Sequence, residues 1–206
     1  MVTVRILVDA NDPEDIRKVN QIQDELRISS RSAKPYPSSE YDSESLQDTT
    51  VLLSRLAGGL TDAEHAYGRK EKVDAIKHLL VSAFGWGGLP ETEAYYLNSV
   101  QNLPLAEFSL TVEDVPVDGF WSISVYNSDG YFEENTDDAY SLNNLTAKKS
   151  SDGSFTIQLG GERKHVNFLP VTEGWSYVVR MYRPHQVVLD GTWRFPDLSK
   201  SPPALN

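Results

Sequence analysis

The stretch Asn167–Pro184, NFLPVTEGWSYVVRMYRP, decides how the chain reads. From Trp175 to Tyr182 one row of residues is Trp175, Tyr177, Val179 and Met181, and the row between them is Ser176, Val178, Arg180 and Tyr182. A period of two is the side-chain alternation of a β-strand. The first row suits an apolar core. The second sets an arginine between Val178 and Tyr182, where a half-buried strand needs no cation. An unpaired guanidinium on a buried face is costly, so a partner is expected. The candidates are Asp152, Asp190, Glu93 or a cluster of carbonyls. Arg180 is then either an inter-strand clamp or a receptor for an anion or carboxylate, a role its planar fork suits.

Outward from this strand the same period recurs. Strands are predicted over Ala94–Val100, Leu105–Val112, Phe120–Asn127, Tyr140–Asn143, Phe155–Leu159 and Val166–Leu169, with a last short one near Val187–Trp193. Turn residues separate several of them: Asn127-Ser128-Asp129-Gly130, Ser151-Asp152-Gly153, Gly160-Gly161 and Asp190-Gly191. Strands joined by loops rather than helices predict an antiparallel sandwich or a jelly roll.

The first half keeps a different period. Val2–Val8 reads as a short strand. Asp12 then caps a helix, with Pro13 at its first position and Ile16, Val19 and Leu26 on one face. Ser29–Ser43 is a Pro/Ser-rich loop. Further helices are predicted over Ser45–Ala57 and Lys70–Phe84, stopped by Gly58-Gly59 and Gly85. The fold class is mainly β with a helical N-terminal part, that is α+β. Residues 1–92 form a segment packed on a sandwich of residues 93–206, the whole one unit.

The chain has 206 residues and a formal net charge of −11, and its few basic clusters are short. Nucleic-acid affinity rests on Lys and Arg neutralising phosphates, so no nucleic-acid partner is expected. Cysteine is absent, which excludes disulfides, thiol nucleophiles and thiolate metal sites. No apolar run approaches the roughly 20 residues of a membrane span, so no membrane insertion is expected. No signal peptide is visible at the start, so the chain as it stands reads as cytoplasmic, or else as the second part of a longer one.

Chemistry-bearing motifs are sparse. The histidines His65, His78, His165 and His185 show no metal-ligand spacing, so no metal and no cofactor is expected. Ser154 follows a turn, without the surroundings of a G-x-S-x-G nucleophile. The acidic run Glu133–Asp138 reads as a solvated loop. The aromatics Trp86, Tyr95, Tyr96, Trp121, Tyr126, Tyr131, Tyr140, Trp175, Tyr177, Tyr182 and Trp193 gather in or near the β half, where they build a core or line a ligand pocket.

Four pieces in order, VDGFWSISVYNSDGYFEEN, SSDGSFTIQLG, NFLPVTEGWSYVVRMYRP and VLDGTWRFP, together resemble a bacterial family, the domain-of-unknown-function family twelve-fourteen. The resemblance runs across about Gly85–Pro196. It implies a jelly-roll-type sandwich with appended helices and no assigned reaction. In that family the domain commonly follows a sister domain, family twelve-fifty-four, in longer and often exported proteins. DANDPEDIRKVNQIQDEL looks like the connecting piece between those halves. Phe168 stands where Trp is usual, and Thr172 where an Ala-Pro stretch is common. The resemblance also places Asn135, Asn167 and Tyr182 near Arg180.

These readings converge on a non-catalytic binding or assembly module for a carbohydrate or small organic ligand. Arg180, Tyr182, Asn135, Asn167 and Trp121 are the expected ligand-binding residues. The alternative is a hydrolase acting on a sugar or ester through a pocket around Arg180. Whether the protein is an enzyme stays open at this point. Homo-oligomerisation through the helices is expected.

Overall fold

The structure, a computed structural model, describes residues 4–6, 8–9, 11–32, 34, 40–98, 102–163 and 165–200, with residue 98 described by its backbone. The chain divides into two compact units, residues 1–42 and 43–206. The first carries helix α1 (Pro13–Glu25). Asp12 accepts a hydrogen bond from the Glu14 N–H at 2.8 Å, Pro13 takes the first helical position, and Glu14 and Asp15 sit in the positive first turn. Of the predicted strand Val2–Val8, residues 4–6 and 8 are described and form no strand. The rest of that stretch, and residues 33 and 35–39 of the Pro/Ser loop, lie outside the described residues.

The second unit opens with α2 (Ser43–Ala57) and α3 (Ala75–Gly85), which neighbour one another. The third helix begins at Ala75 rather than near Lys70. Asp74 is the reason, because its carboxylate accepts the N–H groups of Ile76 and Lys77 at 2.9 and 3.0 Å. His78 Nδ1 lies 2.8 Å from the Ala66 carbonyl, and the Tyr67 ring meets His78 edge-on. His78 itself stays exposed, and the buried residues of this helical part are Ala66, Leu80 and Val81.

The two amides hold the Asp74 carboxyl below its ordinary value, the Lys77 N–H acting most strongly. A carboxyl depressed in the folded state stabilises it above the unfolded pKa, and that contribution is lost as pH falls through the folded pKa. The protection of the Ile76 and Lys77 amides against exchange, relative to their intrinsic rates, is therefore expected to fall below about pH 4. Asp62, depressed mainly by its hydrogen bond to Lys77, titrates in the same direction. Asp74→Asn keeps a cap that does not titrate and should remove the Asp74 share. An unchanged pH profile in that variant would refute the assignment.

Among the described residues eight strands follow: β1 (Ala94–Asn98), β2 (Phe108–Val112), β3 (Trp121–Tyr126), β4 (Ser141–Asn143), β5 (Phe155–Leu159), β6 (Phe168–Leu169), β7 (Ser176–Tyr182) and β8 (Ser199–Lys200). They form two sheets, ordered β1-β7-β3-β4 and β6-β5-β2-β8. All pairs are antiparallel except β5–β6, which is parallel. The fold is thus mixed α+β with two antiparallel-rich sheets. Leu110, Ile123, Ile157, Leu159, Leu169, Trp175, Val179 and Met181, at most 1 % exposed, come from both sheets and pack in one apolar cluster. The first row read from the sequence of β7 is its core side.

The last predicted strand, Val187–Trp193, is instead a single helical turn, α4 (Gln186–Leu189). Pro184 cannot donate to a ladder, and Val188 N–H and Asp190 N–H turn back to the His185 and Gln186 carbonyls at 3.0 and 2.9 Å. Gly191 then leaves the turn at φ 75°, a left-handed conformation that glycine adopts without strain. Strand β8 was not expected. Its two polar residues carry no periodic signal, and pairing with β2 alone defines it.

Candidate functional site

Strand β7 lies between β1 and β3, so Arg180 stands in mid-sheet and not at an edge. Register sets its neighbours: Tyr96 on β1 and Ser122 on β3. Because the core row is Tyr177, Val179 and Met181, the row with Arg180 points to the outer face. There it joins Ser122, Ser124 and Tyr126 of β3 and Ser176 and Tyr182 of its own strand. Ser122, Ser124 and Ser176 are buried beneath their larger neighbours, and Arg180 is half-buried. The result is a hydroxyl-lined floor with one guanidinium in it.

The partner predicted for Arg180 is not acidic. Its Nη2 donates to the Tyr126 hydroxyl at 2.8 Å, and Nη1 to Ser124 Oγ at 3.3 Å. Its Cζ lies 5.9 Å from the Tyr126 ring centroid. Among the described residues no carboxylate lies within ion-pair distance of Arg180. Asp152 is occupied elsewhere, accepting the Ser154 N–H and Oγ at 3.0 and 2.7 Å, and Asp190 accepts the Thr192 N–H. Ser154 is thereby part of a turn.

The stack continues away from Arg180. Tyr126 lies on Phe132 at 5.1 Å between centroids, and Phe132 on Tyr140 at 5.3 Å. A depression of about 80 Å3 between Tyr126, Tyr140, Glu133 and Asn135 adjoins this stack. Asn135 organises its rim: Oδ1 accepts the Asp137 and Ala139 N–H groups, and Nδ2 donates to the Glu133 and Ala139 carbonyls. Asn135 and Tyr126 therefore border one concavity, and Arg180 bonds Tyr126 from the other side. Tyr182 shares the outer row with Arg180 and stacks on Phe120 at 4.4 Å. Gly119 makes room there, since a Cβ would come within 2.6 Å of the Tyr182 carbonyl oxygen.

Trp121 and Asn167 stand apart from this face. Trp121 is on the core row, 2 % exposed, edge-on to Phe155 and Phe195. Asn167, at φ 57°, ties the loop before β5 to the sheet. Its Oδ1 accepts the Lys148 N–H at 2.7 Å, and its Nδ2 donates to the Lys148 and Thr156 carbonyls.

Strands β3 and β7, which build this floor, lie within the stretch that carries the family resemblance. Residues 101–186 match the family described as protein of unknown function, DUF1214. No curated protein matches the chain. The crystal structure of the VPA0106 protein from Vibrio parahaemolyticus aligns with a TM-score of 0.61 at 22% identity, over 80% of this chain and 47% of that one. The chain thus spans under half the length of that relative, and the likeness is one of fold. An uncharacterized protein from Burkholderia cenocepacia aligns at 22% identity over 48% of this chain and 28% of its own, with a TM-score of 0.37.

A second concavity opens partly outside the DUF1214 match. It is an open cleft of about 370 Å3 bounded by Tyr95, Leu97 and Tyr177 on one side and Trp193, Arg194 and Asp197 on the other. Burial, and then the Asp197 charge, raise the Tyr177 phenol above its ordinary value, so it stays protonated at neutral pH. Sequence reading had Tyr95, Tyr177 and Trp193 among the aromatics without joining them, because only the fold brings the α4 exit to the β1 edge. In the matched stretch the missed residues are Ser122 and Ser124, while Tyr126 stood among the aromatics without being joined to Arg180. The signal that finds them is the β3 alternation set in register against β7. Among the described residues no cluster of three His, Asp or Glu side chains could hold a metal ion, and no helix is long and apolar enough to cross a membrane.

Proposed function

We propose that the protein is a non-catalytic binding module of jelly-roll type whose outer sheet face receives the carboxylate of a small organic ligand, sugar acids included. The observation that carries this reading is Arg180, a half-buried guanidinium whose described partners are two neutral oxygens, in a chain of net charge −11. A cation kept among hydroxyls has donors left for an incoming carboxylate, and charge-assisted bonds of that kind are the strong ones. Tyr126, Ser122 and Ser124 would meet ligand hydroxyls, and Tyr182 would flank them. Hydrolysis is the weaker reading. Ser124 Oγ accepts from Arg180 and bonds Ser141 Oγ, and among the described residues no imidazole or carboxylate bonds it to take its proton.

A thermal-shift series tests the proposal. Hydroxy-acids and sugar acids at 10 mM are expected to raise the melting temperature, while the matching neutral sugars do not. A ligand at 100 times its Kd adds about 2.7 kcal/mol. Equal shifts with acid and neutral sugar, or none with either, would remove it. A second reading rests on the 370 Å3 cleft, whose size and aromatic walls suit an uncharged ring compound. Stabilisation by such compounds that ignores substitution of Arg180 would favour it.

A further inference from the structure

The cleft of about 370 Å3 opens beside β1, which among the described residues pairs on one side only, with β7. Tyr95 stands opposite Met181 and Leu97 opposite Val179, so these four side chains share the core side of the sheet. Val179 and Met181 form the bottom and are at most 1 % exposed. The facing wall is the chain that leaves α4, where Trp193 meets Phe195 edge-on at 6.0 Å. Tyr95, Leu97, Tyr177 and Trp193 pack against the core cluster yet stay half-buried. Ligand sites of about 300–1,000 Å3 have apolar and aromatic walls of this kind, with a few polar groups at fixed places.

The polar groups at the opening say what kind of ring fits. Among the described residues, none of the Tyr95 hydroxyl, the Trp193 indole N–H, the Arg194 guanidinium and the Asp197 carboxylate takes part in a hydrogen bond or ion pair. Arg194 and Asp197 border the same cleft without pairing, so the opening carries one charge of each sign and draws neither cation nor anion by net charge. The Asp197 charge acts on the Tyr177 phenol, so acceptor and aromatic wall stand close together. A carboxylate accepts and cannot donate, while indole and guanidinium only donate.

We infer that this cleft takes a phenolic ring, an uncharged aromatic ligand held between the Tyr95 and Trp193 walls with its hydroxyl donating to the Asp197 carboxylate. A hydroxyl accepts as well as donates, so the Trp193 indole or Arg194 can bond the same oxygen. A phenol, with a pKa of about 10, is neutral at pH 7. A hydrocarbon ring leaves the polar groups of the opening to water. A ligand carboxylate or ammonium meets one charge of its own sign there. This assignment rests on the cleft as a ring site, and the Arg180 floor plays no part in it.

Isothermal titration at pH 7 with 4-methylphenol, toluene, benzylamine and 4-methylbenzoate tests it. 4-Methylphenol is expected to bind about tenfold more tightly than toluene, the worth of one charge-assisted hydrogen bond. Asp197→Ala, at an exposed position, should bring 4-methylphenol down to the toluene affinity, leave toluene unchanged and keep the melting temperature. Trp193→Ala should weaken both rings. Arg180→Met should change neither, and 4-methylbenzoate is compared in that background, where the outer sheet face offers no guanidinium. Equal binding of 4-methylphenol and toluene, or tighter binding of benzylamine or 4-methylbenzoate, overturns the phenol and leaves a ring site in the cleft. No binding of any of the four removes the cleft as a ring site as well. Loss of 4-methylphenol binding in Arg180→Met moves the ligand to the outer face and overturns the site.

Discussion

Trp175→Ala is expected to lower the free energy of unfolding by about 4 kcal/mol. Trp175 is fully buried immediately before β7, at the point where the chain enters that inner strand. Its ring meets Phe108 edge-on at 5.7 Å and Tyr177 at 6.1 Å, so it joins the β7 side of the core to β2 of the other sheet. Its Nε1–H donates to the Pro104 carbonyl at 3.1 Å, and its own carbonyl accepts the Leu103 N–H at 2.9 Å. Alanine would leave a cavity that rigid strands on both sides cannot close, and a carbonyl without its donor. Trp175→Phe fills most of the cavity and keeps the edge contact, so it should cost about half as much. Urea denaturation followed by circular dichroism reads the difference as a midpoint shift at unchanged slope. A loss below about 1.5 kcal/mol for alanine would mean that the indole does not join the sheets.

How much of this was legible in the sequence depends on whether the signal was local. The β7 alternation was, because a central strand with one row in the core must keep its period, and β5 was read with the bounds it has. The α1 start was legible from Asp12-Pro13 for the same local reason. The start of α3 was placed near Lys70 rather than at Ala75, because apolar Val73 stands at helical spacing from Ile76 and Leu80 and so masks the cap at Asp74. Val187-Val188 has β-forming residues in a helical turn, where the preceding Pro184 and the following Gly191 outweigh propensity. The site was legible only in its centre. Arg180 stands out in its own strand, but its partners lie 54 and 56 residues away and are neutral. Charge-seeking logic pointed to Asp152 and Asp190, and both spend their oxygens on local turns. Asn135 and Asn167 were placed near Arg180 by resemblance. Each makes several bonds to nearby backbone, a role that spacing alone does not announce.

Substitution of Arg180 should separate binding from folding. Arg180→Met removes the charge and keeps the stem that packs over the sheet. The two groups it abandons, Ser124 Oγ and the Tyr126 hydroxyl, are neutral, and Ser124 still has Ser141 Oγ at 3.1 Å. Breaking a buried ion pair costs about 3–5 kcal/mol because a charge is left behind. Here no described carboxylate is stranded, so the expected loss of stability is below about 1.5 kcal/mol. Loss of a charge-assisted bond to a ligand carboxylate is worth about 1.5–3 kcal/mol, which is a fall in affinity of roughly 10- to 150-fold. Arg180→Lys keeps the charge without the fork and should fall between the two. Isothermal titration with the best acid from the thermal-shift series, beside denaturation of the same variants, reads both quantities. Large destabilisation of Arg180→Met with ligand affinity intact would make Arg180 a clamp between β3 and β7 and end its reading as a receptor.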